Sequence, residues 1–321
     1  MGLPDGVRIR FDHVSIATHS IDRGVAWFQR YFTTHQRSSQ QVSEQARGGF
    51  LWQDFYLGGT AVEFIAELPD TRDFITEFIR RRGEGLHHLS FEVDRLEPIV
   101  AALKARGVRI VDEYDLVDGS RTAFLSPRSA FGALIQLWQP VNYDQPIPRP
   151  ADDGEVRFDH LAIAVSDIRR AIAFFQDNFD AQVTQQPVLS STPGGGRVRT
   201  QAVPRRLGHP SEPRPDKSNF TLAQVEIAGF KLEFLQSPGL GAHDDFVANF
   251  IERRGEGMHH FTIDAKDFDG ILNKLSGDAV RIVGKETNYR GERQFFISPR
   301  SAFGTLIQVW DGLGGPGEGS E

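Results

Sequence analysis

The chain has 321 residues, 39% hydrophobic and 25% charged, with a net charge of -7. That describes a globular protein of about two domains and argues against a general affinity for nucleic acid or acidic membranes. There is no cysteine, which excludes disulfides, thiolate nucleophiles and zinc–sulfur centres, so any metal must be held by histidine, carboxylate or amide oxygen.

Taken in order, the chain opens on a strand near Arg10 to Ala17, Phe-Asp-His-Val-Ser-Ile-Ala at its centre. Met1 to Arg10 lacks an apolar run of signal-peptide length, and no stretch approaches the roughly 20 apolar residues of a membrane span, so a cytoplasmic location is expected. A helix follows from Ile21 to Phe32, with Ser20 as its N-cap and Val25, Phe28 and Phe32 on its apolar face. After a weak strand comes a hairpin: Phe50 to Leu57, a Gly58-Gly59 turn, and Thr60 to Glu67. A second helix ends near Arg82, where Gly-Glu-Gly stops it. Leu86 to Val93 is then a strand and Leu96 to Ala105 a helix; strands near Val108 to Tyr114, Thr122 to Leu125 and Ala133 to Trp138 complete the half.

The whole pattern then recurs. Phe11-Asp12-His13 returns as Phe158-Asp159-His160, Arg82-Gly83-Glu84-Gly85-Leu86-His87-His88 as Arg254-Gly255-Glu256-Gly257-Met258-His259-His260, and Ser126-Pro127-Arg128-Ser129-Ala130-Phe131-Gly132 as Ser298-Pro299-Arg300-Ser301-Ala302-Phe303-Gly304. His13 and His160 are 147 positions apart, Glu63 and Glu233 170, and His88 and His260 172. The added residues of the second half fall in 187–219, rich in Pro, Gly, Ser and Arg, which reads as a long loop that either covers a site or is mobile. The expected layout is a first domain over 8–140, a linker over 141–156 with several prolines, a second domain over 157–311 and a flexible tail over 312–321. The fold class is α+β, each half two βαβββ modules and the chain four.

Strand parity picks out the polar interior. His13 shares a face with Ser15 and Ala17; Glu63 alternates with Val62 and Phe64, and Gln136 with Ile135 and Leu137. Of the pair His87-His88, alternation puts His87 on the packing face of Leu89, Phe91 and Val93, and His88 with Ser90 and Glu92. The second half offers His160, Glu233, His260 and Gln308 by the same logic. Two imidazoles, a carboxylate and an amide oxygen suit a first-row divalent ion with open positions; a net site charge of about +1 would stabilise an enolate oxygen. If Gly58-Gly59 is the turn, Asp54 lies opposite Glu63 and points to the same face, whereas the partner of Glu233 is Gln224, which cannot act as a base. Asp54 is then either a proton-transfer group or a solvated strand carboxylate. The arginines Arg80-Arg81-Arg82 and Arg253-Arg254 are solvated helix ends favourable to the dipole, or meet a phosphate-bearing substrate.

Asp-His on the first strand, Gly-Glu-Gly-Leu-His-His, and Phe-Leu-Ser-Pro-Arg-Ser before Gly-Ala-Leu-Ile together resemble methylmalonyl-CoA epimerases of the vicinal oxygen chelate superfamily, which also holds glyoxalase I, extradiol dioxygenases and fosfomycin and bleomycin resistance proteins. The resemblance covers nearly all of each half and implies paired βαβββ modules curved around a metal. It implies ligands on the first, fourth, fifth and eighth strands, here His13, Glu63, His88 and Gln136, and again His160, Glu233, His260 and Gln308. In that epimerase glutamine is on the fourth strand and the carboxylate on the eighth; here the two are exchanged in both halves, and the missing eighth-strand carboxylate departs from the ring-cleaving dioxygenases. The implied activity is metal-dependent epimerisation of a small-molecule carbonyl substrate, a 2-acyl-CoA or a keto-cyclitol, with one divalent ion (Co, Mn, Ni, Zn or Fe) per working site and Asp54 and Glu63 as candidate bases. The alternatives are an Fe(II) dioxygenase and a non-catalytic binding or resistance protein. A fused duplicate is expected to be a monomer, as a pseudo-dimer, or a homodimer.

Overall fold

A computed structural model describes residues 2–43, 49–69, 73–150, 154–189, 220–237, 246–287 and 293–313. The first half contains strands β1 (Ile9–Ala17), β2 (Thr34–Gln36), β3 (Gln41–Ser43), β4 (Phe50–Leu57), β5 (Thr60–Glu67), β6 (Gly85–Val93), β7 (Ile110–Asp115), β8 (Arg121–Leu125) and β9 (Ile135–Gln139), with helices α1 (Ile21–Tyr31), α2 (Phe74–Arg82) and α3 (Leu96–Ala105). The second repeats it with β10 (Val156–Ala164), β11 (Gln182–Leu189), β12 (Thr221–Ile227), β13 (Phe230–Gln236), β14 (Gly257–Ala265), β15 (Ile282–Thr287), β16 (Arg293–Ile297) and β17 (Leu306–Trp310), and α4 (Ile168–Phe179), α5 (Phe246–Arg254) and α6 (Phe268–Gly277). The fold is α+β, with one sheet per half. β11 runs through Pro187 to Leu189, so the first three residues of the expected 187–219 loop are strand; 190–219 lie outside the described residues, as does most of the expected 312–321 tail.

The sheets have matching orders, β2-β4-β5-β1-β6-β9-β8-β7 (with β3 on β4) and β11-β12-β13-β10-β14-β17-β16-β15. In each, the two modules meet at the antiparallel pair of their first strands, β1 with β6 and β10 with β14. The four central strands therefore lie side by side, and this places one face of β5, β1, β6 and β9 around a single point.

The helices form for ordinary reasons. In α1 the buried residues Ile21, Gly24, Val25, Phe28 and Tyr31 recur at helical spacing; the Ser20 side chain accepts from the Arg23 N–H at its start, and Asp22 and Arg30 oppose the dipole at either end. α2 begins with a capping box between Asp73 and Thr76. Its Ile75 and Ile79 pack with Ala17 and Ile65, which share the face of His13 and Glu63, so α2 roofs that face beside the site.

The opposite faces of both sheets contribute to one apolar cluster that spans the halves. Phe11 stacks on Phe230 with ring centroids 3.7 Å apart, and Phe91 lies 6.1 Å from Phe179. Ring burial of this kind contributes about 1.5–3 kcal/mol per side chain, so the halves are welded rather than tethered. The repeated Ser-Pro-Arg-Ser-Ala-Phe-Gly segments reach across reciprocally. A Cβ at Gly132 (φ +76) would stand 1.7 Å from the Glu256 carbonyl oxygen, and one at Gly304 (φ +69) 1.6 Å from that of Glu84. Only glycine fits there, and this accounts for the glycine that ends both motifs.

Candidate metal centre

The two-residue Gly58-Gly59 turn fixes the hairpin register, and Asp54 does pair with Glu63. β1 runs parallel to β5 with Ser15 opposite Glu63, and antiparallel to β6 with Ser15 opposite His88 and His13 opposite Ser90. Ser90 is in turn opposite Gln136 on β9. These registers bring His13, Glu63, His88 and Gln136 together. His13 Nε2 is 3.1 Å from His88 Nε2 and 3.3 Å from Glu63 Oε2; His88 Nε2 is 3.8 Å from Glu63 Oε2 and 3.1 Å from Gln136 Oε1. Four atoms bound at 2.0–2.2 Å to one ion would stand roughly 3–3.5 Å from their neighbours, so the spacing matches. Glu63 Oε2 makes no well-aligned hydrogen bond, and in the metal-free chain the buried carboxylate is met by the imidazole of His13, as a buried charge requires.

β-bulges decide what surrounds these four. The register of β1 against β6 slips between Phe11 and His13 and again between Ser15 and Ile16, which leaves Asp12 and His87 as extra residues. The first slip lets Asp12 bond its own neighbour: Asp12 Oδ2 is 2.8 Å from His13 Nδ1. The second corrects the expectation for His87. Strict alternation placed it on the face of Leu89, but the extra residue re-aims it, and its ring lies against Phe78 of α2 while its Nδ1 is 2.9 Å from His88 Nδ1. Both site histidines thus have their outer nitrogen engaged, leaving Nε2 turned toward Glu63. The reading from sequence also missed Arg37, just after β2, whose guanidinium donates to Asp12 (2.7 Å) and stands 3.2 Å from Asp54 Oδ2. No strand pattern marks it.

Electrostatics follow from this packing. Burial works against charge on His13, but Glu63 and Asp12 outweigh it and raise its pKa to about 10. Burial drives His88 well below its ordinary range, Glu63 only partly opposing. Glu63 is lowered: His13 overcomes the burial that favours its neutral form. Asp54 is raised by burial despite Arg37, and its Oδ1 has no hydrogen-bond partner.

The second half assembles His160, Glu233 and His260 the same way, with Gln308 Oε1 3.1 Å from His260 Nε2, but its polar atoms are engaged by the chain itself. The Thr262 hydroxyl lies 2.9 Å from His160 Nε2 and donates to Gln308 Oε1 at 2.6 Å. Gln224 Nε2 donates to Glu233 Oε2 at 3.0 Å, and Lys231 takes Arg37's place on the carboxylate beside the histidine, Asp159 (2.7 Å). Glu233 and His160, 3.5 Å apart, still favour each other's charge: burial opposes, but His160 is raised to about 9.

Comparison with known proteins bears on the family and the fold. Two family models, both described as glyoxalase/bleomycin resistance protein/dioxygenase superfamily, match residues 12–124 and 157–309. The methylmalonyl-CoA epimerase of Dictyostelium discoideum is 28% identical over 134 residues, 40% of this chain and 76% of its own length. The human mitochondrial enzyme of that name is 24% identical over 156 residues, 48% of this chain and 72% of its own. A mutant of 4-hydroxymandelate synthase from Streptomyces coelicolor shares the fold at a TM-score of 0.58 and 14% identity, across 94% of this chain and 92% of that one. Among the described residues no helix is long and apolar enough to cross a membrane.

Proposed function

The chain belongs to the glyoxalase/bleomycin resistance protein/dioxygenase superfamily as a tandem duplicate, and from that membership we propose that it is a divalent-metal-dependent epimerase working in its first half on a 2-acyl-CoA thioester. The observation that carries this reading is a pair of buried carboxylates on adjacent strands in direct register: Glu63 turns Oε2 to the site imidazoles of His13 and His88, 3.3 and 3.8 Å away, and Asp54 Oδ1 has no hydrogen-bond partner. The named curated relatives are epimerases of such thioesters. His13, Glu63, His88 and Gln136 would hold a divalent ion, which would supply Lewis acidity at the substrate carbonyl and so make the neighbouring C–H more acidic.

The remaining work falls to side chains. Asp54 is the base: its free Oδ1 takes the proton, and burial has raised its affinity for one. Arg37, 3.2 Å from the other oxygen, keeps the carboxylate oriented and ionised before substrate arrives. Glu63 holds charge opposite His13, and the Asp12 contact fixes the tautomer in which His13 offers Nε2. Epimerisation needs removal at one face and return at the other; Asp54 and Glu63 are the two groups available.

The test is deuterium exchange at C2 of methylmalonyl-CoA in heavy water, with the protein loaded in turn with Co, Mn, Ni, Zn and Fe(II). Asp54→Asn should lower exchange by about 10²–10⁴-fold without changing metal content. Oxygen consumption in place of exchange, or no exchange from acyl-CoA or keto-cyclitol substrates with any metal, would overturn the assignment.

A further inference from the structure

Between the halves lies a cavity of about 510 Å³, walled by equivalent residues from each. The C-terminal ends of α2 and α5 supply Phe78 with Arg82 and Phe250 with Arg253 and Arg254, and the starts of β6 and β14 supply His87 and His259. Arg80 and Arg81 are paired with Glu77. Arg82, Arg253 and Arg254 have no ion-pair partner among the described residues. The one acidic side chain on the wall, Glu84, is turned to the Thr18 hydroxyl and the His19 N–H. Three guanidinium groups and one carboxylate therefore line a space of ligand size, with the phenyl rings of Phe78, Phe246 and Phe250 beside them.

A solvated helix end explains a single arginine, but not three unpaired ones brought from two halves to the rim of one half-open cavity. Guanidinium recognises phosphate and carboxylate through paired N–H donors, and the rings suit an apolar body attached to the anion. We propose that this cavity is a second ligand site, for a small phosphomonoester or carboxylate carried on an apolar group, separate from both histidine–glutamate clusters. Its floor touches them: His87 Nδ1 is 2.9 Å from His88 Nδ1 and His259 Nδ1 2.8 Å from His260 Nδ1. A ligand there is one hydrogen bond away from each cluster.

Calorimetric titration of the metal-free full chain, in buffer free of competing anions, with phenyl phosphate, benzoate and neutral benzyl alcohol tests this. Both anions should bind, and the alcohol should not; the tighter of the two anions identifies the head group. The double substitution Arg82→Ala and Arg254→Ala should weaken anion binding by about tenfold or more, the loss expected for charge-assisted hydrogen bonds. Arg253→Glu, a single change at an exposed helix position, should do the same and guards against a double variant that fails to fold. Absence of anion binding, equal binding of the alcohol, or binding that survives these substitutions would overturn the proposal.

Discussion

Asp12→Asn isolates the part played by the bulge on β1. Asp12 is buried and accepts from His13 Nδ1 at 2.8 Å and Arg37 at 2.7 Å, with the Ser90 hydroxyl at 3.5 Å. Asparagine keeps the shape but has one acceptor oxygen and one NH₂ group. Whichever way it turns, one of the two donors meets another donor. A charge-assisted hydrogen bond contributes about 1.5–3 kcal/mol, and at about 1.4 kcal/mol per factor of ten its loss corresponds to roughly one to two decades of metal affinity. That agrees with the roughly 10–100-fold usual for residues behind a metal ligand. Competition against a chelator, monitored by calorimetry, reads the affinity directly, and Asp94→Asn, an exposed-edge pair with Arg8, provides a control of the same chemistry. Unchanged affinity in Asp12→Asn would show that His13 is not a ligand or is not oriented by Asp12.

Three further outcomes are expected. Glu63→Gln should abolish the tighter metal-binding step and Glu233→Gln the weaker one, as measured by equilibrium dialysis with elemental analysis, because the Glu233 oxygen already holds Gln224; the reverse order would refute this. His13 and His160 keep protons up to about 10 and about 9 in the folded protein, above the unfolded value of about 6.5. The stability this gives the metal-free chain is complete below about 6.5 and lost as pH climbs to about 10, metal binding must release these protons, and calorimetry in buffers of different ionisation enthalpy showing no release at neutral pH would be contrary evidence. Gly304→Ala should lower stability by about 3 kcal/mol or more in denaturant titration, against about 1–2 kcal/mol for Gly229→Ala, whose added Cβ meets nothing within 4 Å; similar losses would mean that the contact with Glu84 is not tight.

The parts of the centre legible in the sequence are those set by strict periodicity. A two-residue turn at Gly58-Gly59 leaves one register, so Asp54 opposite Glu63 followed from counting, as did Gln224 opposite Glu233. Parity alone separated Glu63 from Val62 and Phe64. A bulge carries no such signature, because inserting one residue changes facing without changing composition. That is why alternation puts His87 with Leu89, and why the repeated Asp-His motif does not by itself reveal that Asp12 bonds His13. Arg37 was hidden for a different reason: it joins the site from the end of a three-residue strand, where no periodicity exists. The shared apolar cluster was also invisible, since alternation says that Phe11 and Phe230 are buried but not that they stack on each other.

Around the clusters themselves the two halves differ at matched positions. Ser90 in the first half is Thr262 in the second, and the added methyl and fixed rotamer bring a hydroxyl to 2.9 Å from His160 Nε2, the nitrogen that a metal would need. Asp54 is replaced by Gln224, which satisfies Glu233 rather than leaving it open. Where Arg37 stands beside Asp54, the second half has neutral Gln185 opposite Gln224. The Gln224 exchange gives Glu233 Oε2 a hydrogen bond that Glu63 Oε2 lacks, and the Thr262 exchange adds a hydroxyl at His160 Nε2. Unsatisfied buried groups are destabilising, so if only the first half is catalytic, as proposed above, the second gains stability by closing such groups. On the function proposed above, Asp54 Oδ1, unpartnered beside the first cluster, is the feature that Gln224 removes from the second.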